Sequence, residues 1–197
     1  MKKIYIIVFL LVTSIFAFAQ TEDEIIETLT QTAASMECMK CDFTQQKTMA
    51  MLAEPSVSEG LMDYKTPDKM RWEYTKPYAF ALVVDGEQII KISDGKEEVV
   101  DAKSNRMYQG MANIIMSSAT GKKLFDKSTF DVAITDDGDF WRAEMKPKKR
   151  DMKRMFSMLT FYFDKDKNII NKVEFTETGG DVTTIQFIDI KINELCD

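Results

Sequence analysis

Two hydrophobic periods divide the chain. From residue 21 to 37 the apolar side chains Ile25, Ile26, Leu29, Ala33 and Met36 recur every three or four positions, the spacing of one helix face. Thr21 with Glu24 three residues later supplies a capping box, so the pattern predicts an amphipathic helix over 22–37. From Phe43 the period falls to two. Strands are expected near 42–52, 57–66, 68–75, 79–85, 87–93 and 96–102, then near 129–136, 139–146, 157–164, 169–178 and 182–192. Their separators are Asp85-Gly86, Asp94-Gly95, Asp137-Gly138, the stretch 164–168 and Gly179-Gly180, turn chemistry in which glycine accepts a positive φ. About eleven short strands joined this tightly imply an antiparallel meander, because parallel neighbours need long crossovers.

Two stretches interrupt the meander. Residues 106–119 carry Met107, Met111, Ile114, Ile115 and Met116 at helical spacing, and residues 148–156 carry Met152, Met155 and Phe156 within a basic run. Short amphipathic helices must bury an apolar side, and the concave face of a curved sheet is the available partner. The expected fold is α+β: about eleven antiparallel strands in a strongly curved sheet or partial barrel, with helices covering its mouth.

The alternation also says what lines that sheet. Met70, Trp72 and Tyr74 share one face, as do Met62 with Tyr64, Phe130 with Val132 and Ile134, Trp141 with Ala143 and Met145, and Val173 with Phe175. The run 79–84 is apolar on both faces. Fourteen methionines in 197 residues supply flexible, polarizable side chains that adapt to variable apolar shapes. Two readings stay open: a deformable cavity for alkyl chains, or a closed methionine-rich core.

Lys2 and Lys3, the apolar run 4–12 and the small residues of Ala17-Phe18-Ala19 form a secretory signal pattern, with cleavage expected before Gln20. That segment falls short of the roughly 18 apolar residues a membrane span requires. Residues 1–19 are thus expected to be a leader, and 20–197 a single exported domain.

Histidine is absent, which removes Ser-His-Asp triads and histidine-ligated metals. The formal charge of −6 argues against general nucleic-acid binding. No acid/base pair stands out, and no enzyme activity, cofactor or metal is expected. Cys38, Cys41 and Cys196 would enter an oxidising compartment, where a disulfide is the plain expectation. The pairing is open between Cys38–Cys41 and a tie from either to Cys196, and the Cys38/Cys41 spacing also admits a thiol oxidoreductase. Lys146, Lys148, Lys149, Arg150, Lys153 and Arg154 concentrate six positive charges in nine residues. That run is either a docking surface for anionic headgroups or a partner, or a solvated face.

Several motifs follow one another in a familiar order: Asp42-Phe43-Thr44-Gln45, Glu59-Gly60, Pro67-Asp68-Lys69-Met70-Arg71-Trp72-Glu73-Tyr74, Pro77, Asp85-Gly86, Met145-Lys146-Pro147-Lys148 and Phe161-Tyr162-Phe163-Asp164. Together, over roughly 22–190, the chain resembles the periplasmic outer-membrane lipoprotein carrier family (LolA-like). The resemblance implies an unclosed barrel enclosing a hydrophobic cavity, in a monomer that shields lipoprotein acyl chains between the inner and outer membranes. It also implies an ABC-type lipoprotein exporter in the inner membrane as donor, and an outer-membrane acceptor or membrane surface as recipient. Transferred to this chain, the lipid-binding lining would comprise Met62, Tyr64, Met70, Trp72, Tyr74, Leu82, Met107, Met111, Ile115, Met155, Phe161 and Phe163. Where the family often places an arginine this chain has Thr66, which motivates an alternative: a related periplasmic lipid-binding or envelope-stress sensing module.

Overall fold

A computed structural model describes residues 20–52, 54–86, 88–100, 116, 124–194 and 196. These residues form two helices and eleven strands. Helix α1 (Glu22–Ala34) is followed by β1 (Cys38–Thr48), β2 (Ser56–Lys65), β3 (Lys69–Lys76), β4 (Phe80–Asp85), β5 (Gln88–Ser93) and β6 (Lys96–Val100). The second half holds β7 (Phe130–Asp137), β8 (Phe140–Pro147), helix α2 (Arg150–Met155), β9 (Phe156–Asp164), β10 (Ile169–Glu177) and β11 (Val182–Ile192).

All eleven strands join one antiparallel sheet in the order β6-β5-β4-β3-β2-β1-β11-β10-β9-β8-β7. The two halves are meanders, stitched by pairing β1 with β11 from Met39↔Ile192 to Thr48↔Val182. Among the described residues the sheet ends in two edges, β6 and β7, and is not closed; the meander follows the pattern of short strands and tight turns, and the open barrel is what the family resemblance implies. Asp94-Gly95 is the two-residue loop between Ser93 and Lys96. Both of its residues are left-handed, at φ 51° and 70°, the geometry that matches hairpin twist.

Two boundaries differ from expectation. Helix α1 starts at its capping box, where Glu24 N donates to Thr21 Oγ1 at 3.4 Å and Thr21 N to Glu24 Oε2 at 2.8 Å. It stops at Ala34 rather than near 37, and β1 spans Cys38–Thr48 rather than 42–52. The cause is a tertiary clamp. Asn193 Oδ1 accepts from Glu37 N at 2.7 Å and Cys38 N at 3.3 Å, while its Nδ2 donates to Ser35 O at 3.1 Å. These bonds satisfy the exposed backbone after Ala34 in place of another helical turn, and Cys38 enters the ladder opposite Lys65.

Three residues of β7's approach form a turn around Asp126. Its carboxylate accepts from Ser128 Oγ, Thr129 Oγ1 and Ser128 N at 2.7–2.9 Å. These donors, led by the Ser128 hydroxyl, lower its pKa from 3.8 to about 2. A depressed carboxylate contributes stability that is complete above its ordinary pKa and fades as pH falls toward 2. Asp126→Asn is therefore expected to lower the melting temperature at pH 5, with the difference from the parent shrinking at pH 2.

Candidate functional site

One face of the sheet gathers the large apolar side chains into a continuous cluster. Strand β1 contributes Met39, Cys41 and Phe43; β2 Met62 and Tyr64; β3 Met70 and Trp72; β4 Leu82 and Val84. From the other half come Ile185 and Phe187 of β11, Val173 and Phe175 of β10, Leu159, Phe161 and Phe163 of β9, and Ala143 and Met145 of β8. Period-two alternation puts each set on one side of its strand. Helix α1 supplies Ile25 and Leu29 one turn apart.

Seven of the residues expected to line a lipid site meet here: Met62, Tyr64, Met70, Trp72, Leu82, Phe161 and Phe163, each at most 5% exposed. Tyr74 packs at the margin, with its hydroxyl donating to Gln45 Oε1 at 2.9 Å. Met155 is half-buried on α2, whereas its neighbours Met152 and Phe156 are the side chains that reach the cluster. Met107, Met111 and Ile115 lie outside the described residues; Met116 is described and packs against the cluster.

Phe43, Phe187 and the α1 residues complete the cluster without being among the lipid-site candidates. Phe43 stacks on Trp72 with centroids 4.0 Å apart, and Phe187 meets Trp72 edge-on at 6.3 Å. Phe43 reaches Trp72 across β2 because Gly60 stands between them. A Cβ on Gly60 would fall 2.4 Å from Phe43 Cζ and 2.1 Å from the Glu73 carbonyl oxygen. Gly60 itself was legible in the sequence; its meaning required knowing which ring crosses it.

Among the described residues, two polar atoms inside the cluster have no hydrogen-bond partner: Tyr64 Oη and Trp72 Nε1. An orphaned buried donor costs about 1–3 kcal/mol. Burial, reinforced by the charge of Asp68, also raises the Tyr64 pKa, so its hydroxyl stays protonated and able to donate. Grooves of about 630 and 450 Å³ carry charged residues such as Asp164, Lys167, Asp63, Arg71 and Asp189 in their linings, together with Phe187 in the larger and Cys41 and Met62 in the smaller.

Cys38 is bonded to Cys196, with Cα atoms 5.6 Å apart. Cys41 is a buried free thiol. Burial, then the adjacent Asp42 charge, pushes its pKa up to about 12, which leaves it a neutral side chain with no nucleophile to offer. Lying three residues apart on β1, Cys38 and Cys41 face opposite sides of the sheet. The Cys38/Cys41 redox pair contemplated from spacing is therefore overturned. Among the described residues, no group of histidine, cysteine and carboxylate side chains could hold a metal.

The family model described as "Outer membrane lipoprotein carrier protein LolA" matches residues 34–197. An outer-membrane lipoprotein carrier protein of Xanthomonas oryzae pv. oryzae is 30% identical over 187 residues, covering 93% of this chain and 85% of the relative. Its counterpart in Methylobacillus flagellatus is 29% identical, covering 85% and 78%. Among solved structures, an uncharacterized conserved protein of Thermus thermophilus aligns with TM-score 0.56 at 9% identity, covering 89% of this chain and 90% of that one. MucB aligns with TM-score 0.55 at 12% identity, covering 87% and 58%. At these identities the structures report a shared fold.

Proposed function

Because the chain belongs to the outer-membrane lipoprotein carrier family, LolA, we propose that it takes up the acyl chains of lipoproteins between the two membranes of the envelope. It would receive them from an ABC-type exporter in the inner membrane and surrender them at the outer membrane, as a monomer in the periplasm. It catalyses nothing; the work is transfer of apolar surface.

The carrying observation is the pair of orphaned donors, Tyr64 Oη and Trp72 Nε1, inside an aromatic and methionine cluster. A core with no other use would gain by having phenylalanine at Tyr64. A glyceryl-linked acyl cargo brings ester carbonyls along with its alkyl chains, so the same donors acquire acceptors when the cargo enters. Met62, Met70 and Trp72 share one face of the sheet and are each at most 3% exposed. Cargo must therefore displace a cover, and α1 is a suitable one.

Magnitudes permit the exchange. Lifting α1 exposes Ile25, Leu29 and the smaller Ala33, the first two at about 1.5–3 kcal/mol each. One acyl chain of about fifteen methylenes recovers on the order of 12 kcal/mol at about 0.8 kcal/mol per methylene. Measured against an acyl chain in water, displacement is thus downhill with cargo and uphill without it; against a chain still in a bilayer the burial nearly cancels, so uptake and release both stay within reach. The methionines suit this role because they repack around either occupant.

The test mixes residues 20–197 with a triacylated peptide and follows tryptophan fluorescence and native mass spectrometry. Saturable uptake of the peptide is expected, and a chain that takes up none would refute the proposal. Tyr64→Phe is expected to stabilise the empty protein by about 1 kcal/mol while weakening uptake several-fold. Stabilisation with uptake unchanged would show that the hydroxyl does not meet cargo. Release of lipoproteins from spheroplasts would separate shuttling from simple binding, and retrieval of a signalling protein in place of an exporter would favour the sensing alternative.

A further inference from the structure

The turn between β10 and β11 binds two elements that are distant in sequence. Thr178 N donates to Met155 O at 3.0 Å, and Thr178 Oγ1 donates to Lys153 O at 3.1 Å, which fixes α2. Three residues on, Asp181 Oδ1 accepts from Ala50 N at 3.0 Å, which fixes the β1–β2 loop. One end of the sheet therefore presents the basic helix and this loop side by side.

Their exposed side chains are complementary in kind. The loop tip holds Met51 at 95% exposure and Leu52 at 55%. Tyr78, at 82%, projects from the β3–β4 connection, which the register places at the same end of the sheet. Lys149, Arg150, Lys153 and Arg154 on and beside α2 are exposed, as are Lys146 and Lys148 where β8 ends. Of these six, Lys148 pairs with Asp131 at 2.8 Å; among the described residues the other five make no ion pair. Lys149 also acts electrostatically on Asp126 and Asp151 lies among the cations on α2, yet a chain of net charge −6 keeps an excess of basic side chains here, next to apolar tips standing in water.

We infer that this end of the sheet docks on an anionic lipid surface, with Met51, Leu52 and Tyr78 entering the interface and the α2 cations meeting headgroup phosphates. The chemistry is that of peripheral attachment, in which a few apolar side chains and several basic ones each contribute too little alone. Each basic side chain at an anionic surface strengthens binding about fivefold, and a protein partner would be better served by a continuous apolar patch than by isolated tips. The contact deepens the carrier reading, on which its purpose rests, by making a membrane surface rather than a protein acceptor the place where the carrier rests.

Flotation of residues 20–197 with phosphatidylcholine vesicles containing phosphatidylglycerol tests the contact. Salt-sensitive binding is expected, with far less on pure phosphatidylcholine. Lys153→Glu with Arg154→Glu is expected to weaken it about twentyfold or more, and Met51→Ser with Leu52→Ser about tenfold. Thermal unfolding of both variants should match the parent, since all four positions are exposed. Absent binding by the parent, or equal binding by the variants, would overturn the inference, as would variants that keep vesicle binding and lose only capture by an exporter. Uptake of triacylated peptide in solution is scored separately: its loss alongside intact vesicle binding would sink the carrier reading and leave this surface standing.

Discussion

Replacing Gly60 with alanine is expected to cost about 3 kcal/mol or more of folding stability, the upper end for forced overpacking. The new Cβ would lie 2.1 Å from a backbone oxygen, that of Glu73, and 2.4 Å from the Phe43 ring. The ring could rotate away only by abandoning Trp72, its stacking partner at 4.0 Å. The carbonyl cannot move without breaking the β2–β3 ladder, which already shifts register between Glu59 and Gly60. Denaturant unfolding measures the loss, and a drop below about 1 kcal/mol would mean that the sheet yields locally. Because Phe43 and Trp72 belong to the proposed acyl site, the same variant should also weaken uptake of a triacylated peptide.

Loss of the Cys38–Cys196 bond should be felt across the whole sheet. The bond spans 158 residues, and closing a loop that long removes unfolded-state entropy worth about 2–5 kcal/mol. Cys38→Ser with Cys196→Ser is expected to lower stability by that amount under oxidising conditions and by nothing further in reductant. The Asn193 clamp, which binds Ser35, Glu37 and Cys38, should keep the variant folded. Cys41→Ser serves as the contrast: it leaves the bond intact and places a hydroxyl in an apolar cluster. A parent protein whose melting is indifferent to reductant would refute the assignment.

Much of this could be read from residues alone, and the reasons are local. The capping box at Thr21 and Glu24 operates within three residues, so the start of α1 was evident. Asp94-Gly95 specifies a hairpin because few residue pairs tolerate two left-handed backbones. Met62, Tyr64, Met70 and Trp72 fall on one face because a strand alternates. The end of α1 and the start of β1 lie several residues from where local periodicity puts them, since Asn193, more than 150 positions away, captures the backbone there. The choice among cysteine pairings was equally out of reach, because it depends on where Cys196 arrives.

Period and turn chemistry thus specify that this chain makes a helix, an antiparallel meander and one face rich in aromatics and methionines, for these follow from dihedral preferences and spacing along a few residues. Folding adds what no short window contains: the β1–β11 seam that joins the chain's two halves, the ring of Phe43 laid over Gly60, the unpaired Tyr64 and Trp72 donors, and the meeting of α2 with the loop at Met51. Each depends on residues brought together across more than a few turns of chain, where the register of a long-range ladder, and not local propensity, decides which side chains touch.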